Sequence, residues 1–176
     1  TIIDNGAFAN CSSLTSITLP ISVTSIELGA FRDCSGLTSI TLPEYLTNIG
    51  HYVFEGCSNL TSVTFPAGVA KIGNYIFAGC NNLKTIYCYA EIVPETSTNA
   101  FASSHPENAT LYVPYNVVNS YKATEPWSSF GTITSIEETA VITTSQYGSG
   151  TYCCDKALDF SKVDGLKAYA ATGYNS

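Results

Sequence analysis

Aligned in rows of 23 residues, the apolar positions of this chain fall into vertical columns. Ile3, Ile26, Ile49 and Ile72 form one column, and Phe8, Phe31, Phe54 and Phe77 a second. Cys11, Cys34, Cys57 and Cys80 follow, then Leu14, Leu37, Leu60 and Leu83. Ile17, Ile40, Val63 and Ile86 come next, with Leu19, Leu42, Phe65 and Cys88 two residues further on. Val23, Leu46 and Val69 add a partial column. Agreement of this many columns over four rows rules out coincidence, and a fixed period of this length marks a solenoid.

The polar positions within a row say which elements to expect. The Leu-x-x-Ile-x-Leu segment alternates apolar and polar residues and is rich in β-branched Thr and Ile, which predicts a short strand, at Ile17 to Leu19 in the first row. Pro20, Pro43 and Pro66 end that strand, because proline brings no N–H to a ladder. A second extended piece is expected at Val23 to Glu27 and its equivalents. Glycine turns then lead through a short helical or irregular arc to the next strand. Equivalent strands would stack about 4.8 Å apart. One row cannot bury its own apolar edge, but rows above and below can cover it.

The rows resemble the leucine-rich repeats of the BspA-like family, found in surface proteins of bacteria, including gut Bacteroidetes, and of some parasites. That family's rows read broadly I-x-x-x-A-F-x-x-C-x-x-L-x-x-I-x-L-P, and Ile26 to Pro43 (IELGAFRDCSGLTSITLP) matches throughout. In common leucine-rich repeats Asn or Cys stands two residues before a final Leu, whereas here the Cys precedes the strand. The resemblance runs from Thr1 to about Ile133. It implies a β-rich α/β solenoid, a right-handed leucine-rich-repeat stack, and an extracellular or cell-surface adhesion role.

Residues 1–89 hold the regular rows. Thr1 stands where Thr24 stands one row later, so the chain is expected to begin within a repeat and to derive from a longer parent. Residues 90–133 depart from the pattern: Phe77 to Phe101 is 24 residues, and Ala109 to Pro114 (ATLYVP) echoes the strand late. An irregular last row bearing large aromatics suits a cap. Family members end in a similar Y-V-P…Y…W…F stretch, which implies that Tyr121, Trp127 and Phe130 seal the stack. Residues 134–146 read as a linker and 147–176 as an incomplete β-rich module, too short for a core of its own.

Composition narrows the function. Of 176 residues 12% are charged and the net charge is −7, which argues against nucleic acid and anionic membranes, since both call for clustered Lys and Arg. No stretch approaches a membrane span. Sequons at Asn10, Asn59 and Asn108 are short enough to arise by chance.

Seven cysteines invite a redox or metal reading. Stacked columns hold Cβ atoms near 4.8 Å, too far for a disulfide at about 3.8 Å. A linear ladder also cannot converge on a metal, so Cys11, Cys34, Cys57 and Cys80 are expected as buried free thiols. Cys153 and Cys154 are adjacent and leave an odd total. His51 and His105 lack the Asp and Ser or Cys neighbours of a catalytic arrangement. Glu137 and Glu138 fall in the linker, where a solvated pair is expected rather than a glycosidase site. No phosphate loop, zinc-protease or nucleophile-elbow motif appears. The expectation is a non-enzymatic chain with no metal or cofactor.

What is left is the outward side of the strands: Thr15, Ser16 and Thr18; Thr38, Ser39 and Thr41; Thr61, Ser62 and Thr64; Lys84, Thr85 and Tyr87. Stacked, these form Thr and Ser ladders on the concave face, uncharged as far as Lys84. Threonine suits any exposed strand, so strand preference alone would explain the ladders. Equally, curved solenoids present such surfaces to ligands, here a protein first and a glycan second. A spacer that binds nothing is the rival of a different class.

Overall fold

A computed structural model of the chain describes residues 1–136, all within one unit, Thr1–Glu137. The expected module at 147–176, Cys153, Cys154 and the Glu137–Glu138 pair lie outside the described residues. The strands are β1 (Ile2–Ile3), β2 (Ser25–Ile26), β3 (Ser39–Thr41), β4 (Asn48–Ile49), β5 (Ser62–Phe65), β6 (Lys71–Ile72), β7 (Thr85–Cys88), β8 (Glu95–Thr96), β9 (Thr110–Val113) and β10 (Thr132–Ser135). They build two parallel sheets. The short strands run β1-β2-β4-β6-β8, and the longer ones β3-β5-β7-β9-β10. Register follows the columns, with Ile3 opposite Ile26, Ile26 opposite Ile49, and Ile40 opposite Val63. This is the leucine-rich solenoid that the columns imply.

Between the sheets the columns become ladders of side chains. Phe8, Phe31, Phe54, Phe77 and Phe101 stack almost parallel, with centroids 5.1 Å apart at the first step and 5.7 Å at the next three. Each row turns toward its Phe through one left-handed residue. Gly6 and Gly29 take φ of 62° and 60° there, while Tyr52 and Tyr75 hold the same place at 59° and 55°. Glycine adopts that conformation without strain; a tyrosine does not. The two Tyr rings stack 5.4 Å apart, a contact that offsets part of the strain.

Gly73 shows how closely rows approach. A Cβ there would lie 2.6 Å from the Gly50 carbonyl carbon and oxygen.

Three expectations need correction. The first-row strand at Ile17 to Leu19 does not form; the longer sheet begins at β3. Cys11 is exposed, because the outer side of the first row is not covered by another row among the described residues, whereas Cys34, Cys57 and Cys80 are buried. The boundary placed at 133/134 cuts through β10, which runs to Ser135 with Ile136 still donating its N–H to the Val113 carbonyl.

The last row keeps its ladders despite added residues. Lys71 lies opposite Glu95, a step of 24, and Thr85 opposite Thr110, a step of 25. The first extra residue falls in the stretch before β8, where Ile92 protrudes, 85% exposed. Beyond β9, a helix at Val118–Lys122 and a 3-10 turn at Trp127–Ser129 carry Tyr121, Trp127 and Phe130 onto the end of the stack, where all three are buried. Trp127 meets Phe101, Tyr121 and Phe65 edge-on at 5.3, 5.3 and 6.4 Å. Its indole N–H donates to Thr96 Oγ1 at 3.1 Å.

Candidate functional site

Alternation along the longer strands decides which side chains face out. Ile40, Val63, Ile86 and Leu111 point into the core, so their neighbours point away. The resulting ladders are Ser39, Ser62, Thr85, Thr110 and Thr132, and beside it Thr41, Thr64, Tyr87, Tyr112 and Thr134. None of these ten residues carries a charge. Tyr87 and Tyr112 stack 4.8 Å apart.

Hydrogen bonding separates this face from its flank. Among the described residues, none of those ten side chains is hydrogen-bonded to another protein group. The flanking threonines are different: Thr61 donates its hydroxyl to the Thr38 carbonyl at 2.9 Å, and Thr38 donates to Thr15 at 3.4 Å. Thr24 and Thr47 do the same in the other sheet. Those hydroxyls tie row to row. Among the described residues, the hydroxyls of the open face make no such tie.

Of the expected face residues, Ser39, Thr41, Ser62, Thr64, Thr85 and Tyr87 therefore come together. Thr38 and Thr61 flank the face with their hydroxyls engaged, and Lys84 flanks it at the start of β7. Thr15, Ser16 and Thr18 are exposed but lie outside the sheet. Sequence reasoning passed over Thr110, Tyr112, Thr132 and Thr134. The alternation in ATLYV and TITS was the available signal, obscured by the longer last row.

The cysteines form a different kind of site. Cys34, Cys57 and Cys80 each donate the thiol hydrogen to a Phe carbonyl of the row before: Phe8 at 3.0 Å, Phe31 at 3.2 Å and Phe54 at 3.0 Å. Burial raises all three thiols, and the sulfur of the preceding row raises them further, pushing Cys57 up to about 12. Cys88 is buried against the Tyr121 hydroxyl at 3.2 Å and is raised chiefly by burial. A thiol that stays protonated is no nucleophile. Native protein treated with iodoacetamide at pH 8 should be alkylated at Cys11 and spared at Cys34, Cys57, Cys80 and Cys88, as peptide mass mapping would show. Modification of Cys57 at the rate of Cys11 would contradict the buried ladder.

Both histidines are occupied. His51 Nδ1 accepts the Asn74 N–H at 2.8 Å, and His105 Nδ1 lies 3.1 Å from Glu107. Ion pairs lie off the open face, Arg32 with Glu55 at 2.7 Å and Lys71 with Glu95 at 3.6 Å. Among the described residues no three His, Cys, Asp or Glu side chains are placed to hold a metal, and no helix is long and apolar enough to cross a membrane.

Comparison with known proteins places this geometry. The family model for the BspA type leucine rich repeat region, present in six copies, matches residues 1–122. The crystal structure of the pneumococcal vaccine antigen PcpA is 24% identical with a TM-score of 0.62, over 78% of this chain and 33% of that one, a likeness of fold. The chain thus spans about a third of the PcpA chain. A leucine-rich repeat protein from Bacteroides ovatus ATCC 8483 is 22% identical with a TM-score of 0.47, over 75% of this chain and 39% of that one. A leucine rich cell surface protein from Faecalibacterium prausnitzii A2-165 is 20% identical with a TM-score of 0.39, over 79% and 58%. No curated protein matches the chain. From its columns, its two-sheet stack and the model that spans its rows, the chain belongs to the BspA-type leucine-rich repeat family.

Proposed function

We propose that this chain is a non-enzymatic repeat module of a cell-surface or secreted protein and binds another protein through the open face of the longer sheet. One observation carries the reading. A five-strand face presents ten uncharged side chains, all ten with hydroxyls that make no bond to another protein group among the described residues, while neighbouring threonines are consumed in row-to-row bonds. Strand preference explains threonine on a surface. It does not explain why charge is absent from every position of the face while ion pairs sit elsewhere on the stack. A neutral hydroxyl surface suits a ligand recognised by hydrogen bonds and shape rather than by counter-charge.

The test is binding of the chain to immobilised extracellular-matrix proteins and to a glycan panel, beside Thr41→Arg and Thr85→Arg. Thr41 lies in β3 and Thr85 in β7, so the pair samples two separate parts of the face. Each arginine puts a long charged side chain across the ladders without entering the core. Protein binding that drops at least tenfold in both variants, with the fold kept, is the expected result. Selective retention on the glycan panel would redirect the ligand class, and binding unchanged by either substitution would leave the module a spacer.

A further inference from the structure

Along the open face, the ladder of Thr41, Thr64, Tyr87, Tyr112 and Thr134 changes size abruptly. Thr64 of β5 lies opposite Tyr87 of β7, so a short hydroxyl side chain stands directly beside a ring. The Tyr87 and Tyr112 rings stack 4.8 Å apart at 15°. That separation equals the spacing of neighbouring strands, so the axis of the stack runs from row to row. One face of Tyr87 is thus covered by Tyr112. The other looks toward the Thr64 row, and no second ring stacks on it among the described residues.

A trough of about 640 Å³ reaches this step. Thr41 and Pro43 of the second row and Thr64 and Pro66 of the third line it, and Tyr89 is its only lining residue from the fourth. Tyr89 stands where Pro43 and Pro66 stand in earlier rows, two residues beyond Tyr87, and is 44% exposed. Glu44 is the sole charged lining residue.

Hydroxyl donors along a nearly uncharged trough, with rings at one end, suit a ligand that offers acceptors and apolar rings and carries no charge. A proline-rich segment in polyproline II conformation has that chemistry. Its carbonyls have no internal partners, proline brings no N–H, and its rings pack on aromatic walls. One turn of it advances about 9.3 Å, and alternate rows lie about 9.6 Å apart. A segment running along the stack therefore sets equivalent residues over every second row. Its conformation is fixed before it binds, so little ordering entropy opposes the contact.

We propose that the trough and the Tyr87 step take an uncharged, proline-rich segment of a partner polypeptide, lying across the strands as a polyproline II helix. A proline ring packs above Thr64 against the open face of Tyr87, with Tyr89 beside it. The Ser and Thr hydroxyls donate to the carbonyls of the segment. The proposal rests on the reading of this face as a protein-binding surface and names the chemistry that the face accepts.

The probe is decaproline, which at about 3.1 Å per residue is long enough to cross all five strands. A Gly-Ser peptide of equal length is the control. Decaproline should bind at least tenfold tighter than the control, with no dependence on added salt. Tyr87→Ala removes the wall, and Thr64→Tyr fills the slot beside it with a third ring. Each should weaken decaproline at least tenfold. Thr64→Tyr extends an existing stack and leaves the core untouched, so a folding defect in Tyr87→Ala would not shelter the proposal. Equal binding of decaproline by the wild type and Thr64→Tyr would overturn it. So would a neutral oligosaccharide that binds in place of decaproline and is lost in the same variants. Failure of decaproline to bind, while matrix proteins still bind and are lost in Thr41→Arg, would overturn the proline-rich segment and leave the face a protein-binding surface. Absence of both kinds of binding would overturn the two together.

Discussion

Replacing Trp127 by alanine is expected to destabilise the repeat unit by about 3–5 kcal/mol, the range for deleting a fully buried large aromatic. Trp127 has no exposed surface, and it closes the stack over Phe101, Tyr121 and Phe65. Its removal opens a cavity and leaves the Thr96 hydroxyl without the indole donor. A stack held by nearest-neighbour contacts should lose stability first at the damaged end. Amide exchange should therefore accelerate in β9 and β10 before it does in β4 and β6. A thermal melt gives the size of the loss and exchange gives its place. A shift smaller than that of an ordinary surface substitution would mean that Trp127 does not seal the stack, and uniform acceleration would mean that the rows unfold as one body.

How much of this was legible beforehand depends on how local each cause is. The columns of Ile, Phe, Cys and Leu name the core directly, since identical rows must bury identical positions, and both sheets follow from them. Strand formation at the first row was not legible, for a physical reason. LTSITLP occurs twice, and its state is set by what lies beside it and not by its letters. The last row shows the opposite difficulty. Its steps of 24 and 25 residues break the alignment in rows of 23, so Thr110 and Tyr112 dropped out of the face although Leu111 and Val113 alternate with them correctly. β10 was hidden again: TITS has the pattern of a strand, but its partner is β9, reached only after the cap has turned the chain back. The engagement of Thr38 and Thr61 by neighbouring carbonyls could not be read at all, since Thr looks the same in both uses.

The buried thiols predict a loss of stability in alkali, with a definite sign. In the folded chain Cys57 is raised from the ordinary thiol value of 9.0 to about 12, by burial first and by the Cys34 sulfur second. The unfolded chain can ionise near 9, so above that pH it releases a proton that the fold retains. The stabilisation is thus fully present below about pH 9 and declines as pH rises through about 12. Three pH units for one group correspond to about 4 kcal/mol. Cys34, Cys80 and Cys88 are shifted in the same direction, chiefly by burial, and steepen the decline. The measurement is the urea midpoint from pH 7 to 11 under reducing conditions, for the wild type and for Cys57→Ala. At pH 7 the variant should be weaker by about 1 kcal/mol or more, because the thiol bond to the Phe31 carbonyl and some packing are gone. It also carries one fewer proton to release, so its stability should fall more gently. The gap between the two proteins should narrow steadily above pH 9 and close before pH 12. Parallel curves would show that Cys57 ionises equally well folded and unfolded, which a dry, hydrogen-bonded thiol cannot do.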